Sequence, residues 1–205
     1  MNDRVVPFNP LDKRQLGESV GRQLLAREPC SLGQLERFQG AGIYVIYYSG
    51  DFPAYTPLAQ ANQEGCFEAP IYVGKAVPKG SRKGGSLEAP AGSVLYSRLG
   101  EHARSIQEAS NLDLERFFVR YLVVDDIWIP LAESLLIAHF SPLWNHLIDG
   151  FGNHDPGKGR HAGLRPRWDV LHPGRAWAEK CKPRDETAEQ IELEVLEHLR
   201  SMPIG

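Results

Sequence analysis

Glu133 is the residue whose position in the sequence is hardest to explain by packing alone. It lies in a nearly all-apolar segment, and Leu136, Ile137 and Phe140 follow it at helical spacing on the face where a core is expected. A buried carboxylate is costly unless a cation, a proton or strong donors accompany it. The position indicates a metal ligand or a catalytic group, unless Glu133 is exposed on a first helical turn, where acidic side chains are also favoured.

Arg98 and His102 are four residues apart and share one face of a predicted helix. A histidine titrates near neutral pH and can transfer a proton, whereas an arginine is a permanent planar cation that suits a phosphoryl oxygen. The pair could therefore move a proton and hold a phosphoryl oxygen, although a solvated cationic helix face has the same pattern.

Tyrosines on two predicted strands and one asparagine complete the candidates. Tyr44 lies in the first of these strands, and Tyr72 lies in the second, just before Lys75. Either tyrosine could be an ordinary sheet residue, since aromatic side chains are common in strands. Asn145 follows a helix break at Pro142 and fits a turn equally well.

These side chains must be positioned by a mixture of strands and helices. Runs of β-branched and aromatic residues predict strands at 43–48, 71–74 and 117–124. Because side chains alternate along a strand, Tyr44 and Ile46 share one face of the first strand. Apolar spacing predicts helices at 94–106 and 131–140, the second of them central because it is apolar nearly all round.

The rest of the chain is predicted to surround this core. Asn9-Pro10 is a good helix opening, which predicts a helix to about Glu28, and an acidic helix is predicted at 185–199. Prolines and glycines predict loops at 51–70 and after the second strand. We expect three parts, packed together: an N-terminal helical extension at 1–39, a core with inserted loops at 40–148, and a basic loop with the C-terminal helix at 149–205.

In chain order, the candidate residues resemble the GIY-YIG nuclease family. The resemblance covers roughly residues 40–146 and is carried by Gly42-Ile43-Tyr44, Tyr72-Val73-Gly74, Arg98, His102, Glu133 and Asn145. Val73 stands where the family name has isoleucine, so the two tripeptides alone are less specific than the whole set. The resemblance implies an α+β fold with a small antiparallel three-stranded sheet flanked by helices.

The resemblance also implies cleavage of a phosphodiester with one divalent metal. Glu133 is then expected to be the only protein ligand of Mg²⁺, with Mn²⁺ as a substitute, while phosphate oxygens and water complete the shell. Arg98 is expected to neutralise charge on the scissile phosphate. Asn145 is carried over as a further site residue.

For proton transfer, the resemblance implies that Tyr44 accepts the proton of the attacking water. Tyr72 and His102 would orient or relay that proton, and Lys75 would assist electrostatically. The pKa of a free tyrosine is about 10, so we expect the cationic surroundings that Lys75, Arg98 and the metal supply to favour the phenolate. His102 is the alternative base.

The formal net charge of −3 argues against nucleic-acid binding, but this number averages over segments of opposite charge. Residues 70–104 carry a net charge of +4 and residues 150–184 a net charge of +5, so the remainder is acidic. Lysines and arginines in and beside these segments are expected to contact phosphates or to recognise G·C pairs. They are Lys79, Arg82, Lys83, Arg104, Lys158, Arg160, Arg165, Arg167 and Arg175.

The sequence contains no zinc finger, helix-turn-helix or P-loop pattern, so no nucleotide cofactor is expected. Local basic loops on a small core are similar to the GIY-YIG type II restriction endonucleases that recognise CCGCGG. We therefore expect Mg²⁺-dependent cleavage of both strands of a GC-rich palindrome in double-stranded DNA. A palindrome is matched by a homodimer with one active site per strand.

Three alternatives stay open from the sequence. The first is a structure-specific or repair nuclease that nicks DNA with the same core, and the second is a non-catalytic DNA-binding module. The third and weakest is a histidine-metal nuclease built on Asn153, His154, Asp155 and His161.

Composition sets the remaining expectations. With 205 residues, 42% hydrophobic and 24% charged, the chain is expected to fold as a globular protein. Its three cysteines are isolated, and it has no apolar leader and no run of about 18 apolar residues. We therefore expect a protein of the bacterial cytoplasm without a membrane partner.

Overall fold

A computed structural model describes residues 12–78, 92–155 and 162–201. The strands in these ranges are β1 (Cys30–Ser31), β2 (Gly42–Tyr48), β3 (Pro70–Ala76) and β4 (Phe117–Val123). The α-helices are α1 (Lys13–Leu25), α2 (Thr56–Ala61), α3 (Val94–Glu108), α4 (Ile129–Phe140), α5 (Leu143–His146), α6 (Arg167–Leu171) and α7 (Ala188–Ser201). The predicted α+β class is confirmed, and each predicted strand is present to within two residues at either end.

The sheet is antiparallel and has the order β1-β4-β2-β3. It has four strands rather than the expected three, because β1 adds two residues beside β4, with Cys30 opposite Val119. A two-residue strand is too short to show any alternation in sequence. Strand β3 is the edge strand on the other side.

Strand β2 is central, and all seven of its residues are buried. Its side chains alternate as predicted: Tyr44 and Ile46 enter one apolar cluster, and Ile43 and Val45 enter the other. Residues of α3, α6 and α7 belong to the first cluster, whereas residues of α1 and α4 belong to the second. The sheet therefore separates an α3 side from an α4 side.

Three predictions about the surrounding segments need correction. Helix α1 begins at Lys13, capped by Asp12, and ends at Leu25, so it is shorter at both ends than expected. The segment 51–70, predicted as loop, contains α2, in which Pro57 occupies the first turn, where proline is tolerated. The part of 149–205 before the C-terminal helix, predicted as a basic loop, contains α6, and Trp168 of this helix lies in the core.

Candidate active site

Tyr44 on β2 and His102 on α3 form a buried hydrogen-bonded pair. The distance from Tyr44 Oη to His102 Nε2 is 2.6 Å, and neither residue is more than 1% exposed. Tyr44 lies opposite Gly74 of β3, where a Cβ atom would come within 2.4 Å of the phenol oxygen. The phenol can occupy this position only because residue 74 is glycine.

Tyr72 and Arg98 join this pair on the same side of the sheet. Tyr72 lies opposite Ile46 and therefore shares the face of Tyr44, with 6.2 Å between the two ring centroids. Arg98, one turn before His102 on α3, lies close enough to both phenol groups that its charge opposes the rise in the pKa of each. Three elements thus bring together two phenols, an imidazole and a guanidinium.

Burial determines the protonation states of the pair. Desolvation, followed by the neighbouring Tyr72, raises the pKa of Tyr44 well above its usual value, and Arg98 opposes this shift less strongly. Desolvation, followed by the charge of Arg98, lowers the pKa of His102 well below its usual range. The pair is therefore a neutral phenol beside a neutral imidazole. Among the groups present, burial outweighs the charge of Arg98, so the residues of the chain alone do not favour the phenolate of Tyr44.

Lys75 and Glu133 form an ion pair near these phenols. Lys75 follows Gly74 on β3, and its Nζ atom lies 2.6 Å from Oε2 of Glu133 on α4. The charge of Glu133 contributes to the raised pKa values of Tyr44 and Tyr72, so the carboxylate is within electrostatic range of both phenols. The Glu133 side chain is 17% exposed and pairs with Lys75. Partial exposure and the cationic partner together offset the free-energy cost of placing a carboxylate in an apolar helix.

The donors at Glu133 fit a magnesium ion that takes the rest of its shell from substrate and water. A carboxylate has two oxygens and about four lone-pair sites, so Glu133 can hold Lys75 and a cation together. The described ranges contain no group of three or more His, Cys, Asp or Glu residues arranged to hold a metal ion. Mg²⁺ commonly binds one or two carboxylates plus phosphate oxygens and water, and the site matches this pattern.

A cleft of about 450 Å³ opens beside Arg98 and Lys75. Glu101 and His154 also line it: Arg98 Nη1 donates to Glu101 Oε2 at 3.2 Å, and His154 Nε2 contacts the same guanidinium. Neither residue was predicted as part of this site. The spacing of three residues between Arg98 and Glu101 on one helix face could have identified Glu101, whereas no local signal places His154 here.

Asn145 acts on the backbone of β3. Its Oδ1 accepts a hydrogen bond from the Val73 amide at 2.8 Å, and its Nδ2 donates to the Val73 carbonyl at 2.9 Å. Val73 lies between Tyr72 and Gly74, so these bonds fix the strand segment that positions Tyr72. Asn145 is therefore a positioning residue, and it lies on the short helix α5.

The residues expected to contact DNA are found in different environments. Arg104 is exposed on α3. Arg165 donates to the carbonyl of Ala178, and Arg167 pairs with Glu186 and Glu194, so both have partners within the chain.

The prediction for Arg175 is corrected. It is 1% exposed and pairs with Asp169, so it lies inside the fold and away from any groove contact. The other five predicted contacts lie outside the described residues: Lys79, Arg82, Lys83, Lys158 and Arg160. His161 of the histidine-metal alternative also lies outside them.

A protein-family model described as the Eco29kI GIY-YIG domain matches residues 36–199. No curated protein matches the chain. None of the helices in the described part of the chain has the length and hydropathy needed to cross a bilayer.

Proposed function

Because the chain belongs to the Eco29kI GIY-YIG family and is thus a restriction-type endonuclease acting on DNA, we propose that it is a Mg²⁺-dependent type II enzyme. It cleaves both strands of a GC-rich palindrome such as CCGCGG, and it does so as a homodimer. The main structural support for this proposal is the cluster of Tyr44, Tyr72, Arg98 and His102 beside the Lys75–Glu133 ion pair.

The neutral pair supports a relay for activating water. The attacking water gives its proton to Tyr44 Oη while the phenol proton passes to His102 Nε2, 2.6 Å away. The relay starts from uncharged groups, because burial disfavours a standing phenolate and leaves the imidazole unprotonated. Tyr72 orients the water through the phenol cluster.

Arg98 and Lys75 supply positive charge for the reaction. Arg98 lines the cleft with its guanidinium, which suits the extra negative charge that develops on the scissile phosphate. The water oxygen forms a bond to phosphorus while the bond from phosphorus to the leaving oxygen breaks. Lys75 holds Glu133 in place through their ion pair.

Glu133 is the residue that would hold Mg²⁺. When bound, the ion supplies Lewis-acid stabilisation for the phosphate and the leaving oxygen. The roles of the two bases are separable by substitution: Tyr44→Phe removes the relay, and near-normal cleavage by that variant would make His102 the base.

A digest of sequenced plasmid DNA with Mg²⁺, followed by mapping of the ends, tests the proposal. Discrete double-strand fragments ending at one palindrome support it. Nicks without sequence preference would instead identify the structure-specific or repair nuclease, and binding without cleavage would identify the non-catalytic module.

The metal assignment has its own matched pair of variants. Glu133→Ala should abolish cleavage, whereas Glu197→Ala, which removes an exposed carboxylate from α7, should cut normally. Clean cutting by Glu133→Ala would overturn the assignment. Sedimentation of the enzyme with a duplex carrying the site tests the homodimer.

A further inference from the structure

The segment 150–154 lies against three of the candidate catalytic residues. The ring of Phe151 stacks on His102, with centroids 4.5 Å apart and planes 16° apart, and it meets Tyr72 edge-on at 5.0 Å. The carbonyl of Gly152 accepts a hydrogen bond from Arg98 Nη2 at 2.9 Å. The position of this segment therefore affects both the imidazole and the guanidinium of the site.

Arg175 fixes this segment through its backbone. Its Nη2 donates to the Gly150 carbonyl at 3.0 Å, and its Nη1 donates to the carbonyls of Phe151 and Asn153 at 3.1 and 3.2 Å. Three of the five peptide units of the segment are thus held by one guanidinium. Gly150 has a φ of 103°, and a Cβ atom there would lie 2.1 Å from Pro166, so glycine is needed for this path.

Asp169 neutralises and orients Arg175. Arg175 Nε and Nη2 donate to the two carboxylate oxygens of Asp169, each at 2.6 Å, and both side chains are at most 2% exposed. The rings of Trp168 and Trp177 lie 4.4 and 4.8 Å from the guanidinium carbon. The carboxylate of Asp169 and the three carbonyls together accept from all five N–H groups of Arg175. Lysine, with three donors and no planar fork, cannot reproduce them.

We propose that the Asp169–Arg175 pair is a positioning device for the active site, which holds the segment 150–154 so that Gly152 and Phe151 fix Arg98 and His102. The proposal rests on the proposed function for its effect on cleavage. It explains why a charged pair is kept inside the fold, where an apolar pair of similar volume would be less costly. It also gives the basic segment a role other than DNA contact.

Arg175→Lys tests the proposal, and Arg120→Lys is its matched control. Arg120 also binds carbonyls, those of Arg27 and Phe67, and it stacks on Tyr47 on the α4 side of the sheet. Each variant is compared with the wild type in single-turnover cleavage at saturating DNA and Mg²⁺, in DNA affinity with Ca²⁺, and in thermal unfolding.

We expect Arg175→Lys to cut at least tenfold more slowly, with DNA affinity within twofold of the wild type. Arg120→Lys should cut within twofold of the wild-type rate, even if its melting temperature falls as far as that of Arg175→Lys. Equal losses of rate in the two variants, or an unchanged rate in Arg175→Lys, would overturn the proposal. The comparison separates positioning from stability, because only one of the two arginines contacts the segment.

Hydrogen exchange provides a measurement that does not depend on cleavage. In Arg175→Lys the amides of 150–154 should exchange faster, and the ring signals of His102 should shift, while the amides around Phe67 keep their protection.

If the wild type does not cut DNA, the proposed function fails, and these measurements still decide the proposal. If Arg175→Lys does not fold, Asp169→Asn replaces it, because this variant removes the charge that neutralises Arg175 and leaves the side-chain volume almost unchanged. Asp169→Asn should slow cleavage and speed the exchange of the amides of 150–154, and wild-type cleavage with wild-type exchange would count against the proposal.

Discussion

A buried histidine away from the active site gives the molecule a defined response to acid. His172 is fully buried, and its Nε2 lies 2.7 Å from the hydroxyl of Tyr55. Its Nδ1 lies 2.9 Å from Asn111 Oδ1, and the Asn111 amide donates to the carbonyl of Leu171, which fixes the orientation of the asparagine. His172 Nδ1 is therefore the donor and Nε2 the acceptor, so the network requires a neutral imidazole.

The size of the response follows from the pKa of this residue. Burial, with the charge of Arg175 as a lesser cause, lowers the pKa of His172 from 6.5 to about 3. The unfolded chain takes up a proton as the pH falls below about 6.5, whereas the folded chain does not until about pH 3, so stability is lost on acidification through this window. Between pH 7.5 and pH 5 the loss is about 2 kcal/mol, at about 1.4 kcal/mol per pH unit below pH 6.5.

His102 shifts in the same direction, so a variant is needed to separate the two histidines. We expect the free energy of unfolding of His172→Gln to fall by about 2 kcal/mol less than that of the wild type between these two pH values. Urea unfolding at pH 7.5 and pH 5 measures this difference. His146→Gln, which removes an exposed histidine from α5, should keep the wild-type pH dependence. An identical pH dependence in His172→Gln and the wild type would refute the assignment.

The remaining predictions concern the active site. Tyr44→Phe should keep the fold and lower the cleavage rate by about 10²-fold or more, the usual effect of removing a general base, and a rate within tenfold of the wild type in single-turnover assays would contradict the relay. Gly74→Ala should displace the Tyr44 phenol, because its Cβ atom would lie 2.4 Å from the hydroxyl; we expect at least a tenfold slower rate and a loss of about 1–3 kcal/mol in urea unfolding, and normal activity would show that the phenol can move freely. Asn145→Ala should lose two hydrogen bonds to Val73 and cost about 1–3 kcal/mol, whereas Asn145→Asp keeps the acceptor for the Val73 amide and should show a smaller loss of stability by the same method. Equal stability of the alanine and aspartate variants would mean that the acceptor oxygen contributes nothing.

The strands and the faces on which Tyr44, Arg98 and His102 lie were predictable because local patterns encode them. The run from Ile43 to Tyr48 has the composition of a buried strand, and alternation correctly placed Tyr44 and Ile46 on one face. The spacing of Arg98 and His102 correctly placed them on one helix face. Each of these features depends on neighbours fewer than five residues away.

The features that escaped prediction depend on contacts between distant residues. Arg175 has the composition of a groove contact, and only the fold shows that Asp169 and three carbonyls surround it. His154 reaches Arg98 from a position 56 residues further along the chain. The protonation state of Tyr44 likewise depends on how completely the surrounding elements exclude water, which no local pattern reports.

The hydrogen bonds of Asn145 also determine how the sheet ends. Val73 is paired with Val45 of β2, and its amide and carbonyl face the outer edge of β3, where the amide side chain of Asn145 satisfies both. One side chain thus takes the place that a neighbouring strand would take, and it closes the edge to pairing with another chain at this position. A second copy of the protein cannot extend the sheet across Val73, so the homodimer that we propose would have to form through other surfaces.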